Sequence, residues 1–190
     1  MTNLKNTLTY TQQINMETIR EILDSKKKPK EIVSVSAERI LQNPKLFDEL
    51  MTILKTGSDV EKGTCADIMK HVTAERPEIA EPYIEELIGF INYKAPRVKW
   101  GVPESIGNIA KKSPQKVEKA IPFLLKNTPE NKDNSTVIRW CAAYALSEIA
   151  KASGDKNLLT KIKDISEIEI NNGVKNVYKK AIKLIEKNKK

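Results

Sequence analysis

Residues 138–150, IRWCAAYALSEIA, repeat the pattern of residues 98–110, VKWGVPESIGNIA, without a gap. The alignment pairs Val98 with Ile138, Lys99 with Arg139, Trp100 with Trp140, Ile106 with Leu146, Ile109 with Ile149 and Ala110 with Ala150. Working outward, VEKGTCADIMKHV begins at Val60, 38 residues before Val98, and aligns Gly63 with Gly101 and Ile68 with Ile106. VKNVYKKAIKLIE begins at Val174, and a shorter unit, IVSVSAERIL, begins at Ile32. The period is 36–40 residues apart from that first unit, the spacing of a helical repeat array.

Each unit places apolar or small residues at relative positions 1, 5, 8, 9 and 12, which in the fourth unit are Ile138, Ala142, Ala145, Leu146 and Ile149. At about 100° per residue these fall in one stripe of an α-helix. A second helix follows in each unit: LFDELMTIL, IAEPYIEELIGFI, VEKAIPFLL and NLLTKIKDI. Asn43-Pro44, Arg76-Pro77 and Ser113-Pro114 mark the junctions. Proline is tolerated in a first turn, where its missing N–H has no intrahelical partner, and Asn43 and Ser113 are suitable N-caps. Pro82 and Pro122 should interrupt two of the second helices.

The spacing therefore predicts an all-α chain: a first helix at 15–25, the basic connector KKKPK at 26–30, and helix pairs near 30–56, 59–93, 96–128 and 135–166. A last helix at 172–188 caps the stack with Tyr178 facing inward. Residues 1–14 are expected to form a disordered N-terminus and residues 15–188 a single repeat domain. Gly57, Gly154 and Gly173 mark helix ends or starts.

This pattern resembles the HEAT-repeat family. IRWCAAYALS at 138–147 and VKWGVPESIG at 98–107 look like that family's first-helix motif, Val-Arg-x-x-Ala-Ala-x-Ala-Leu-Gly. RPEIAEPYIEELI at 76–88 and SPQKVEKAIPFLL at 113–125 look like its second helix. The likeness covers most of residues 30–188, but position 2 is Val33 and Glu61 in the early units, where the family has a basic residue. A tetratricopeptide array fits less well, because the period is longer than about 34 residues and the Trp-x-x-Leu-Gly signature is absent. The resemblance implies a right-handed α-α superhelix of about four helix pairs plus terminal helices.

Composition agrees with a folded, helix-rich chain, at 39% hydrophobic and 31% charged residues. No stretch reaches about 18 uncharged apolar residues, so no membrane span is expected. The start also lacks a signal-type apolar run, and a cytoplasmic location is expected. Cys65 and Cys141 lie in apolar segments and read as small core residues. Charge is uneven. Residues 1–92 carry 12 basic and 15 acidic side chains, and residues 93–190 carry 21 and 10. The C-terminal half is the candidate surface for an acidic partner.

Little points to catalysis. The single histidine, His71, excludes a multi-histidine metal site. It occupies the place of Ile109 and Ile149, which predicts a partly buried side chain. No cysteine pair has zinc spacing, and no phosphate-binding glycine loop or nucleophile elbow occurs. The expectation is a non-enzymatic chain with no cofactor, no metal and no catalytic residue.

Candidate contact residues come from two features. Trp100 and Trp140 share a repeat position about 200° around the helix, away from the stripe, each preceded by a base, Lys99 or Arg139. They either cover seams between units or form a recognition patch. Basic residues also recur at helix junctions: Arg97, Lys111, Lys112, Lys116, Lys119, Lys151 and Lys156. Second helices of HEAT arrays usually line the concave side, which nominates Glu81, Glu85, Lys119, Lys126 and Lys161. The favoured reading is a scaffold that captures a protein partner. The alternative is nucleic-acid (DNA) binding through the basic half, as in the HEAT-like DNA-alkylation repair proteins, whose catalytic acidic residue does not map onto this chain.

Overall fold

The computed structural model of the protein describes residues 17–131 and 134–188, and every regular element among them is helical. The expected disordered stretch at 1–14 lies outside the described residues. A short helix α1 (Ile19–Leu23) leads into two helix pairs, α2 (Pro29–Gln42) with α3 (Leu46–Thr56), and α4 (Asp59–Glu75) with α5 (Ile84–Phe90). The third first helix is α6 (Pro96–Ala110), followed by the broken second helix α7 (Pro114–Val117) and α8 (Ile121–Leu125). The chain ends with α9 (Thr136–Ser153), α10 (Lys156–Ile168) and α11 (Asn172–Lys187).

Local chemistry explains the ends. Thr18 with Glu21, and Ser58 with Glu61, form capping boxes at the starts of α1 and α4. Ser135, Asp155 and Asn171 accept backbone N–H bonds at the starts of α9, α10 and α11. Pro29, Pro96 and Pro114 open α2, α6 and α7. Gly154 ends α9 at φ 66°, a left-handed conformation that a side chain would strain. Pro82 and Pro122 break the second helices as expected: 3-10 turns at Pro77–Ile79 and Glu81–Tyr83 precede α5, and one at Glu118–Ala120 separates α7 from α8.

Two expected caps are corrected. Asn43 ends α2, its N–H bonding the Arg39 carbonyl, instead of starting α3. Ser113 stands before α7, but its side chain accepts no backbone N–H there; its hydroxyl donates to the Glu81 carboxylate of the preceding unit, a charge-assisted bond.

Successive first helices pack side by side: α2 on α4, α4 on α6, α6 on α9 and α9 on α11. The second helices pack on this row, α3 and α5 on α4 and α6 respectively, and α10 on α9 and α11. One hydrophobic cluster runs from Ile19 to Ile185. Val98, Val102, Ile106 and Ile109 of α6, and Ala145, Leu146 and Ile149 of α9, are fully buried in it, in the expected register; Ala142 is fully buried as well, and Ile138, at the first position of the expected stripe, is half-buried. Tyr178 is enclosed at the terminal seam.

The second unit departs from that register by one residue. Val60 is 73% exposed and His71 is exposed, whereas Cys65, Ile68, Met69 and Val72 are buried. The matching offset to α6 is therefore 37 residues, Val72 standing where α6 has Ile109. One step turns a helix about 100°, which carries His71 out of the seam and overturns its expected burial.

Close approach of the row depends on small residues. A Cβ on Gly101 would lie 2.4 Å from the Ala66 carbonyl oxygen, so α6 meets the backbone of α4. One on Gly107 would meet the Tyr144 ring of α9 at 2.9 Å.

Candidate interaction surface

Trp140 and Tyr144 are four apart on α9 and share a face, their rings stacked at 5.8 Å with an interplanar angle of 2°. Gly107 leaves room for the Tyr144 ring against α6. The Tyr144 hydroxyl donates to Asn108 Oδ1 at 2.6 Å. Lys111 Nζ donates to the same oxygen at 3.2 Å and stands 5.4 Å from the Tyr144 ring centroid, within cation–π range. Asn108 Nδ2 in turn donates to Thr73 Oγ1 at 3.2 Å. A polar chain thus ties α4, α6 and α9 together and fixes the Tyr144 plane. Trp140 lies on that plane and remains 38% exposed.

The two tryptophans differ despite their shared repeat position. Trp100 is half-buried, and its Nε1 is enclosed and donates to no described group. Trp140 presents its ring to solvent. The structure brings Trp140 and Lys111 together through Tyr144, and sequence reasoning missed both Tyr144 and Asn108. The four-residue spacing from Trp140 to Tyr144 was the available signal.

Most of the other candidate bases are engaged inside the chain. Arg97 donates to Asp67 Oδ2 at 2.6 Å from Nη2 and 3.0 Å from Nε. Arg139 grips the Glu169 carboxylate through Nε at 2.9 Å and Nη2 at 3.3 Å, and its Nη1 donates to the Asn134 carbonyl at 2.7 Å. The Glu169 side chain is 0% exposed, so this pair holds α9 to the α10–α11 junction. Lys112 stands 3.7 Å from Glu78 and Lys116 2.6 Å from Glu81. Lys99 is half-buried and forms no ion pair with a described residue.

The second-helix side shows the same neutralisation. Lys55 pairs with Glu86 at 3.1 Å and Lys119 with Glu85 at 2.6 Å, which with Lys116–Glu81 makes a charge-balanced series between consecutive units. Lys126 lies 5.6 Å from the Phe123 ring centroid, and Lys161 is exposed on α10.

A groove of about 510 Å³ lies between α2 and α4, floored by Val33, Ala37 and Leu41 and edged by Lys30, His71 and Glu75. Both cysteines are buried. Desolvation, followed by the nearby Glu61 carboxylate, pushes the Cys65 thiol up to about 12, and burial with Glu104 close by pushes Cys141 up as well. Neither is a thiolate near neutral pH. Among the described residues no group of three or more His, Cys, Asp or Glu side chains is placed to hold a metal ion, and no helix is long and apolar enough to cross a membrane.

No family model matches the chain, and no curated protein matches it significantly.

Proposed function

We propose that the chain is a HEAT-like array, a right-handed stack of about four helix pairs, that serves as a non-enzymatic scaffold and captures a protein partner on the outer face of its first helices. The observation that carries this reading is the Trp140–Tyr144–Lys111 platform. A large aromatic ring is held half in water on a rigid plane, whereas at the same repeat site Trp100 is half-buried with its Nε1 enclosed. Rigid, partly exposed aromatics beside a cation are the residues that dominate protein interfaces, since they bury much area at little entropic cost. The row of first helices gives a broad surface of the kind repeat proteins use for binding.

Nucleic-acid binding through the junction bases has less support, because Arg97, Arg139, Lys112 and Lys116 are each paired with a carboxylate. A cation already neutralised within the chain releases few counterions from a phosphate backbone.

The test replaces Trp140 with a photo-crosslinking aromatic amino acid, identifies the proteins captured in extract of the source cell, and measures binding of the purified partner to Trp140→Ala. We expect one recurrent partner and a loss of at least about ten-fold in its affinity, an interface hot-spot effect, with little change in melting temperature. Partner binding indifferent to Trp140→Ala, or a collapse of stability in that variant, would refute the platform as a recognition surface.

A further inference from the structure

The helix that ends the row is charged unlike any other. In α11, Val174, Tyr178, Ala181 and Ile185 are buried against α9 and α10. At about 100° per residue, the side diametrically opposite that seam carries Asn176, Lys180, Lys183 and Lys187, with Lys179 on its flank. All five are exposed. The one acidic residue of α11, Glu186, lies to the side and pairs with Lys163 of α10 at 2.6 Å. Lys175 is turned back to the Glu167 carbonyl at 3.3 Å. Lys179, Lys180, Lys183 and Lys187 form no ion pair with any described residue.

Several lysines elsewhere are neutralised instead. Lys55, Lys112, Lys116, Lys119 and Lys151 each face a glutamate. A face that only needed solubility would mix both signs, as those do. The α11 face concentrates one sign along a helix whose opposite side is packed on α9 and α10.

We propose that this outward face of α11 binds the phosphate backbone of nucleic acid, without reading its sequence. Lys180, Lys183 and Lys187, about 4.5 and 6 Å apart along the axis at 1.5 Å per residue, with Lys179 beside them, form a positive ridge suited to a line of phosphates. No arginine and no aromatic stands on this face to hydrogen-bond or stack on bases, so the contact is electrostatic. A membrane surface is the poorer match. An interfacial helix buries an apolar face in lipid, and the apolar stripe of α11 is already spent on α9 and α10, leaving Leu184, 47% exposed, at the edge. The proposal does not rest on the partner-capture reading, which concerns a different helix and a different set of side chains.

The experiment titrates the full chain with a labelled mixed-sequence DNA duplex, the matching single strand, and vesicles of phosphatidylcholine with phosphatidylserine, at several salt concentrations. Duplex affinity should fall with salt at a log–log slope of roughly −3 to −4, about 0.9 per neutralised phosphate, which is a loss of roughly a hundred-fold between 50 and 200 mM salt. Combined Lys179→Gln, Lys180→Gln, Lys183→Gln and Lys187→Gln should remove most of the affinity and of the slope. Lys112→Gln with Lys116→Gln, which touches paired lysines, should change both little. Since all four α11 lysines are exposed, the melting curve of the quadruple variant should match the wild type and certifies its fold. Absence of duplex binding at the lowest salt overturns the proposal. So does binding unaffected by the quadruple change, or a stronger response to the anionic vesicles than to nucleic acid.

Discussion

Replacing Gly101 by alanine tests the packing of the row directly. Within a helix that exchange should gain roughly 1 kcal/mol from propensity alone. Here the new Cβ would lie 2.4 Å from the Ala66 carbonyl oxygen and 2.7 Å from its carbon, where ordinary contact begins at 3.4 Å. The clash is with backbone, so α6 must retreat from α4 by about 1 Å, loosening a seam closed by Val98, Val102, Cys65 and Met69. Overpacking of this kind costs about 1–3 kcal/mol where side chains can yield, and more where they cannot. We expect a net loss of about 2 kcal/mol after the propensity gain, or roughly 4–8 °C in Tm for a chain of this size. Gly89→Ala is the internal control. A Cβ there meets nothing within 4 Å, so the propensity gain should appear undiminished as a rise of a few degrees. Gly63→Ala meets Arg97 Cβ at 3.0 Å, an atom fixed to its backbone, so it should lose part of the propensity gain and fall between the other two. Thermal and urea unfolding of the three variants by circular dichroism decides the matter. Gly101→Ala as stable as Gly89→Ala would show that α6 does not pack on α4 in this way.

Two further outcomes follow from the ion pairs. Arg139→Met should cost about 3–5 kcal/mol, because it strands the fully buried Glu169 carboxylate, and adding Glu169→Leu should restore much of the loss; urea midpoints of the single and double variants check this, and a loss under 1 kcal/mol would place Glu169 in water. Glu61 is held at about 2, below the ordinary glutamate value of 4.5, first by the Arg20 guanidinium and then by the Ser58 hydroxyl and N–H. A carboxylate whose pKa is depressed on folding adds stability above 4.5 that is lost as pH falls toward 2. The Tm advantage of wild type over Glu61→Gln should therefore be largest near neutrality and shrink across that window, whereas an equal gap at pH 7 and at the acid end would contradict the assignment.

The helical class, the pairing of helices and nearly all of their limits were legible because they depend on local signals: a stripe of period 3.6, prolines at first turns, and cap residues before apolar runs. The third and fourth units share identities at Trp100/Trp140, Ile109/Ile149 and Ala110/Ala150, and burial follows the gapless alignment from Gly101/Cys141 to Ala110/Ala150. The second unit differs because Gly63 and Ile68 offer single-residue matches to Gly101 and Ile106, while the helical spacing of Cys65, Ile68, Met69 and Val72 carries the true phase. Identity at one position is weaker evidence than periodicity across a helix, since a one-residue slip rotates every side chain about 100°.

The candidate surface was less legible, for a different reason. Arg139 and Lys180 look alike in a charge count, yet Arg139 is gripped by a carboxylate 30 residues away while Lys180 faces water. Pairing across stacked units joins residues separated by about one repeat, as in Glu81 with Lys116 and Glu85 with Lys119, and no local pattern marks which partners meet. In an array each interior helix has a neighbour whose acids can neutralise its bases, so excess charge on interior units is largely consumed as cohesion. On α11, by contrast, Lys179, Lys180, Lys183 and Lys187 are exposed and meet no acid among the described residues. The excess of positive charge in the C-terminal half is therefore not one surface. The part on α6, α7 and α9 is mostly paired with carboxylates inside the chain, whereas the part on α11 stays exposed and unpaired among the described residues, which is what the proposed phosphate contact requires.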